Sequence, residues 1–531
     1  MVHSAPASSA APATPAASRA VESRDPATGE VWSRYDAASS SDVAAALAAA
    51  RIAQRAWRAR PLRERARTLE RFRRALFARR HEVATTIGRE NGKPPVEALS
   101  EVLVTLDFAR YYSSRRVMRE LRPSAHTGAG PAMWRKRVLI SEEPFGVIGV
   151  ISPWNYPFML PAAIVLPALV SGNAVLLKPS EFTTESGRLI ASLLSEAGLP
   201  PGVFHVLPGA GATGAALITQ GCDKIFFTGS EATGRKVAAE SGARLIPCVL
   251  ELGGSDAALV LDDADLALAA EGLAWGRFSN SGQTCVAPKR LFVHQAVYDR
   301  FAALLAARVR RINASTDRAS AEMGPLIRPQ QTALIQAQFD DAIARGATVA
   351  AAAEGAEPGV FAPVLLTDVT PDMRVLREET FGPVLPMMRV RDDDDAVGRA
   401  NDSPYGLSAS VWSGNRRRAL AVAARLDVGS VVLNDSVVAA GMSDVPHGGV
   451  KASGSGRAHG IAGLRECVRS KTVVVERAPG LRQVWWFPYG PALRGAFDGA
   501  IAALHGPGLL ARVRGVWRAR VLLRPPRAPR P

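Results

Sequence analysis

Cys285 closes the run Phe278-Ser279-Asn280-Ser281-Gly282-Gln283-Thr284-Cys285, and Glu251 stands 34 residues earlier in Leu250-Glu251-Leu252-Gly253-Gly254. A cysteine reacts as its thiolate, and with a free pKa of about 8.5 it needs an electropositive, partly exposed setting to do so. A glutamate in apolar surroundings has a raised pKa and serves as a general base near neutrality. A thiol on a Gly/Ser-rich loop and an acid on a Leu-Gly-Gly turn together make a nucleophile and a base. Taken singly, the cysteine reads first as a small buried residue and the glutamate as a surface acid. Asn155, in Ser152-Pro153-Trp154-Asn155-Tyr156-Pro157, follows directly on an apolar run. Its side-chain amide either donates to a developing oxyanion or completes an Asx-turn beside proline.

Further segments have the composition of ligand loops. Lys178-Pro179-Ser180-Glu181 closes a second apolar run and reads equally as an ordinary entry into a helix. Gly209-Ala210-Gly211-Ala212-Thr213-Gly214 fits GxGxxG, but the acid that a dinucleotide fingerprint wants about twenty residues later falls at Gly229, so the match reads as a decoy. Phe227-Thr228-Gly229-Ser230, with Thr233-Gly234 behind it, is the better phosphate site, because a strand ending in a Gly-Ser turn brings a helix N-terminus to an anion.

These blocks resemble the NAD(P)-dependent aldehyde dehydrogenase superfamily, of the non-acylating type. So do Glu378-Glu379-Thr380-Phe381-Gly382-Pro383-Val384, Asn401 to Ala409, and Pro446 to Gly460 with its Gly448-Gly449 and Ser453-Gly454-Ser455-Gly456-Arg457. The likeness runs from about Arg24 to Glu476, and Pro-Trp-Asn-(aromatic)-Pro is its most specific part. The resemblance implies that Cys285 attacks an aldehyde carbon to give a thiohemiacetal. Asn155 and the Cys285 N–H would hold the oxyanion, a hydride would leave for the nicotinamide, and Glu251 would activate water against the thioester. It implies cofactor contacts at Ile151, Pro153, Trp154, Leu252 and Gly253 and beside Glu251. Lys178, Ser180 and Glu181 would meet the adenosine ribose, and Gly229, Ser230 and Gly234 the pyrophosphate. Glu379 would hold the nicotinamide ribose, with Phe381 beside the ring. A carboxylate at Glu181 accepts ribose hydroxyls and repels a 2′-phosphate, which favours NAD, with NADP second. No metal is implied.

The chain departs from the family pattern in places. Ser255-Asp256 follow Glu-Leu-Gly-Gly where lysine is usual. Ala458 stands where many relatives carry a second glutamate, and His447 where phenylalanine is common; that histidine is read as contacting substrate or packing, with no proton-transfer role. The resemblance implies that Ala163, Ser279 and Gly441 stand at tunnel positions that are bulky in relatives acting on small aldehydes. A wider apolar channel follows, and with it a bulky or long apolar aldehyde.

Positioning these groups requires an α/β fold. The runs Val147 to Ile151, Ala174 to Lys178, Val203 to Leu207, Ile225 to Thr228 and Val249 to Leu252 alternate with helical stretches such as Thr184 to Ala197. That rhythm predicts parallel βαβ units in a doubly wound sheet. Ala257 to Leu261 and Arg290 to Val293 open a second α/β region that runs to about Asn434. Ser41-Asp42 predicts a helix start leading into Val43 to Trp57. Leu69, Phe72, Leu76, Val83 and Ile87 predict one helix over 62–90, ended by Asn91-Gly92. The expected fold is aldehyde-dehydrogenase-like: a Rossmann-type cofactor domain, 24–121 with 143–252; a catalytic domain, 253–470; and a small β oligomerisation flap, 122–142 with 471–477. Edge pairing through the flap would give a homodimer or homotetramer.

Four cysteines, Cys222, Cys248, Cys285 and Cys467, form no CxxC and no metal spacing with the eight histidines, which fits a reducing cytoplasm. The segment 1–23 is rich in Ala, Ser and Pro, without an apolar core after a basic start, and reads as a disordered tail rather than a secretory signal. No apolar run reaches the length of about 18 residues that a spanning helix needs. The net charge is +16, and 57 of the 65 basic residues are arginine, a bias suited to base composition; no nucleic-acid motif accompanies it. The segment 478–531 holds nine arginines against one acid, Asp498, with Trp485, Trp486, Phe487 and Tyr489 at its head. It reads either as a peripheral membrane anchor at the inner face of the membrane or as aromatics packed on the protein body, with 525–531 flexible. The enzyme alternative is a succinate-semialdehyde dehydrogenase, a CoA-acylating enzyme being disfavoured by Glu251. The alternative of another class is a non-catalytic, membrane-associated scaffold with a dehydrogenase fold.

Overall fold

The run Val147–Ile151, wholly buried, cannot leave its backbone groups unpaired, and it becomes a central strand flanked on both sides by parallel neighbours. In the computed structural model, which describes residues 20–129, 133–479, 483, 485–487 and 489–523, it belongs to a six-stranded sheet. The order there is Gly454–Ser455, Cys248–Glu251, Lys224–Thr228, Val147–Ile151, Ala174–Lys178, Phe204–Val206. All pairs are parallel except the first, where Gly454 and Ser455 run antiparallel to Glu251 and Leu250. A second sheet of seven strands runs Thr348–Ala352, Val364–Thr367, Val384–Val390, Pro288–His294, Asp256–Val260, Ser408–Trp412, Ser430–Leu433, and is parallel but for its first edge pair. Both fit the expected doubly wound pattern, because continuous Val/Ile/Leu runs need helices over both faces.

Both sheets lie in one compact unit, made of Pro144–Arg469 with the chain up to Glu120. The second unit comprises Leu121–Glu143 with the chain from Ser470. It carries a three-stranded sheet in the order Val468–Glu476, Lys136–Pro144, Ser124–Thr127. Val468–Glu476 is an edge strand with Val473, Val474 and Val475 exposed. Beyond it, helices Pro491–His505 and Leu509–Ala519 form a hairpin held close at Gly499 and Gly515, where a Cβ on Gly515 would lie 2.3 Å from the Ala503 nitrogen.

Several expectations need correction. The stretch 62–90 is two helices, Leu62–Ala78 and Arg80–Asn91, because Arg79 leaves the helical basin (φ −98°, ψ 15°) between them. The apolar positions keep their spacing across this break, so periodicity alone does not reveal it. The first helix is Ser40–Ala59 and is capped by Ser39, whose side chain accepts from the Asp42 N–H while Asp42 caps back, so Ser41 already lies inside it. The strand Ala20–Arg24, paired with Val31–Asp36, begins inside the segment 1–23 expected as a tail; residues 1–19 and 525–531 lie outside the described residues. Gly92, in the left-handed conformation (φ +80°), ends Arg80–Asn91 as expected.

Candidate active site

The carboxyl ends of the parallel strands Val147–Ile151, Ala174–Lys178, Lys224–Thr228 and Cys248–Glu251 open onto one cavity of about 900 Å³. Ligands bind at this end of such sheets. Cys285, Glu251 and Asn155 all line the cavity, and so does each expected cofactor residue except Gly234. Gly234 faces inward instead: a Cβ there would lie 2.4 Å from a Leu252 methyl, so the residue lets its helix close on the strand end. Ala210, Gly211 and Gly214, of the stretch read as a decoy, are on the wall. Their helix, Gly211–Thr219, and the helix Glu231–Ala243, capped by Ser230, both present N-terminal residues to the cavity. Two helix N-termini on one wall suit a pyrophosphate.

Asn155 is held from four directions. Its Nδ2 donates to the Gln283 carbonyl at 3.0 Å, two residues before Cys285, leaving the second amide hydrogen for a ligand. Its own carbonyl accepts from Asn91 Nδ2, Lys93 Nζ and Asn280 Nδ2, each at 3.0 Å. Lys93 and Glu101 form a wholly buried ion pair at 2.8 Å, and Glu101 caps the Phe158 and Met159 N–H groups at the start of the next helix. Sequence reading took Asn91-Gly92 only as a helix stop and missed this support. The available signal was a lysine directly after a helix C-cap with an acid eight residues on.

The loop before Cys285 is strained. Asn280, Ser281 and Gly282 all have φ between +50° and +71°. Glu97 braces it by accepting the Asn280 N–H with both oxygens at 3.0 Å, and burial pushes the Glu97 carboxyl up to about 7. Such strain persists only where neighbours over-determine it. Cys285 itself is partly exposed on the cavity wall. Burial pushes its thiol up to about 12, while Lys289 opposes that rise. The other cysteines are free thiols, with Cys222 and Cys467 buried.

Glu251 sits under the loop that carries Ser453 to Ala458. Leu252 N donates to Ser453 O at 3.0 Å, and the Ala458 N–H that faces the carboxylate is committed to the His447 carbonyl at 2.7 Å. Burial raises the Glu251 carboxyl to about 8. Glu379 accepts the Gly254 N–H at 3.0 Å; a Cβ on Gly253 would lie 2.0 Å from its other oxygen. Arg277, fully buried, holds the Glu-Glu-Thr-Phe-Gly block by donating to the carbonyls of Val384, Thr380 and Gly382. Trp154 and Phe381 meet edge-to-face at 5.4 Å and 88°.

The groups present fit a dinucleotide. Gly229 and Gly253 occupy places where a Cβ would collide, Lys178 and Glu181 pair at 3.4 Å on the wall, and Glu379 lines the same cavity. The tunnel positions do not behave as expected. Ala163 is buried inside the helix Met159–Ser171, and neither it, Ser279 nor Gly441 reaches the cavity wall. Small side chains there therefore do not widen this cavity.

Comparison with known proteins agrees with this geometry. The sequence model of the aldehyde dehydrogenase family matches residues 13–473. A protein of Mycolicibacterium smegmatis (strain ATCC 700084 / mc(2)155), named "Putative succinate-semialdehyde dehydrogenase" with NADP(+) as stated cofactor, is 40% identical over 459 residues, covering 86% of this chain and 88% of its own length. The 4,4'-diapolycopene aldehyde oxidase of Methylomonas sp is also 40% identical, over 453 residues, 85% of this chain and 84% of its own. Among solved structures, lactaldehyde dehydrogenase from Escherichia coli superposes with a TM-score of 0.82 at 32% identity, covering 86% of this chain and 96% of that one.

Proposed function

The chain belongs to the aldehyde dehydrogenase family, and on that premise we propose that it oxidises a bulky or long apolar aldehyde to the carboxylic acid at Cys285. The observation that carries the reading is the convergence of Cys285, Glu251 and Asn155 on one cavity, with Asn155 tied to the nucleophile's own loop at Gln283. Cys285 would attack the carbonyl carbon, and the free Asn155 amide hydrogen and the Cys285 N–H would hold the oxyanion. Bound NAD(P) supplies the hydride acceptor. Lys178, Ser180 and Glu181 would hold its adenosine end, the Gly229-Ser230 turn its phosphates and Glu379 its other ribose. Glu251, raised toward neutrality by burial, would then take a proton from water as the thioester is hydrolysed. Glu181 favours NAD, whereas Lys236, on the same wall, gives a 2′-phosphate a cation.

The substrate class draws on the C-terminal hairpin. Leu509, Leu510, Val513, Val516 and Trp517 are exposed there beside Arg512, Arg514, Arg518 and Arg520, a composition suited to an anionic lipid surface. Phe487 and Tyr489, whose rings meet at 4.5 Å with a 37° tilt, are exposed as well, whereas Trp485 packs under Lys136. Among the described residues no helix is long and apolar enough to cross a membrane. We place the protein in the cytoplasm, peripheral to the membrane. Its exposed Val473–Val475 edge would pair with a second copy in a homodimer or homotetramer, and light scattering of a Val474→Pro variant would show it as smaller than the parent.

Succinate semialdehyde is the second reading, favoured by the M. smegmatis relative's name and by Arg328, a cation on the cavity wall whose buried Nε has no hydrogen-bond partner. Reduced-cofactor formation over aldehydes from succinic semialdehyde through hexanal to dodecanal and retinal, with NAD and NADP in parallel, separates the two. Efficiency rising with chain length supports the apolar reading. A maximum at succinic semialdehyde replaces it, and no turnover with any aldehyde turns the reading to a non-catalytic scaffold.

A further inference from the structure

Lys289 is one of eight lysines in the chain, and its side chain is wholly buried. Taking an ammonium out of water costs several kcal/mol unless partners replace the hydration, so its setting requires an account that core packing does not give. The strand pairing supplies the geometry. Asp256 pairs with Pro288 and Ala257 with Arg290, so the register slips at Lys289, which is left as the extra residue of a bulge. A bulge re-aims one side chain, and here it sends the lysine beneath the nucleophile's loop. Lys289 Nζ donates to the Cys285 carbonyl at 2.5 Å and the Thr284 carbonyl at 3.1 Å, and lies 3.7 Å from Glu379 Oε1. The buried carboxylate of Asp256 is the second anion beside it.

We propose that Lys289 is a positioning residue that fixes the Cys285 loop from below and supplies the positive charge under its thiol, with Asp256 and Glu379 setting how much of that charge the sulfur feels. The proposal rests on the reading of Cys285 as the nucleophile. Three backbone carbonyls of the nucleophile's loop, Thr284, Cys285 and Ala287, the last at 3.5 Å, take the ammonium's hydrogens, and the carboxylate that faces the cofactor supplies its nearest counter-charge. One cation therefore ties the reacting sulfur to the residue assigned to the nicotinamide ribose. The titratable and charged groups facing the thiol are Lys289, Asp256, Glu379, Glu251 and Tyr156; Arg277 and Arg290 stand behind Lys289 and Asp256. Lys289 favours the thiolate, and the carboxylates oppose it.

The test is the rate at which iodoacetamide alkylates Cys285 in the full-length protein, followed against pH by the mass of the Cys285 peptide. Lys289→Met is expected to move the midpoint upward by about one unit, which slows alkylation about tenfold below it, and Lys289→Arg to restore most of the loss. Asp256→Asn, which removes the opposing anion, is expected to move the midpoint downward. A role in packing alone would not shift the two variants in opposite directions. An unmoved midpoint in Lys289→Met, or the same direction of shift in both, overturns the proposal. Where Lys289→Met does not fold, Asp256→Asn decides alone: a downward shift supports the proposal, and an unchanged or upward one overturns it. Alkylation reads the thiol without turnover, so its outcome is separate from that of Cys285→Ser, whose retained dehydrogenase activity would instead remove Cys285 from the reaction.

Discussion

His447 Nε2 lies 3.9 Å from Glu251 Oε2, a gap that a small rotation or one water closes. Burial holds the imidazole down to about 4 and pushes the carboxyl up to about 8, so near neutrality the histidine is neutral and the acid largely protonated. His459 stacks on His447 at 5.1 Å and fixes the plane of its ring, and Phe108 meets His459 edge-on at 4.6 Å. A neutral imidazole N–H facing the carboxylate stabilises its charged form.

The pH dependence follows from these signs. Glu251 works as a base only when deprotonated, so hydrolysis of the thioester is expected to rise with pH through about 8 and to level off above it. Taking away the imidazole removes stabilisation of the carboxylate, which raises its pKa further. His447→Phe is therefore expected to move that limb of the kcat profile to higher pH, and His447→Gln, which keeps a donor, to leave it near the parent. Identical limbs in parent and His447→Phe would show that the two side chains do not interact in solution.

Glu251→Gln separates the two halves of the reaction. The amide keeps the shape of the side chain and cannot take a proton, so attack by Cys285 survives while water activation does not. In rapid-mixing experiments the variant is expected to release about one equivalent of reduced cofactor per site and then turn over at least a hundredfold more slowly than the parent, in line with the ~10²–10⁴ typical of a general base. Undiminished steady-state turnover would assign the base elsewhere.

Much of the site was legible because its residues lie at strand ends. Ile151, Lys178, Thr228 and Glu251 each close an apolar run, and period and loop composition together locate the place where ligands bind. The support beneath was not legible. Lys93 with Glu101 carried only the faint local signal of a lysine after a helix end and an acid eight residues on, while Lys289 meets Glu379 and lies near Asp256 only once segments distant in the chain come together. The break at Arg79 escaped for a related reason: the helices on either side bury the same apolar stripe, so the hydrophobic period runs through it. The Gly209 to Gly214 stretch was discounted for want of a distant acid, yet its helix N-terminus reaches the cavity through backbone geometry alone.

The Lys93–Glu101 pair makes a stability prediction. Both side chains are fully excluded from solvent, and Glu101 also accepts the Phe158 and Met159 N–H groups. Glu101→Gln leaves an ammonium buried without its anion, a change that costs about 3–5 kcal/mol. The denaturant midpoint is expected to fall accordingly. Because Lys93 also holds the Asn155 carbonyl, kcat measured well below the midpoint should fall as well. A surface carboxylate change such as Glu354→Gln should do neither.

Gly253 and Glu379 provide a test of cofactor binding that spares the nucleophile. An added Cβ at Gly253 would sit 2.0 Å from Glu379 Oε2, and the flexible carboxylate is the part able to give way. Displaced, it loses the Gly254 N–H, a hydrogen bond to a charged group worth about 1.5–3 kcal/mol. If Glu379 holds the nicotinamide ribose, Gly253→Ala is expected to raise the KM for NAD(P) about tenfold or more, with the KM for aldehyde changed far less. The carboxylate also moves away from Lys289, which leaves the cation's field on Cys285 less opposed. Alkylation of Cys285 at neutral pH should therefore hold steady or quicken while cofactor affinity falls. A variant that lost aldehyde and cofactor affinity together would place Glu379 at the centre of both sites and remove its specific assignment to the cofactor.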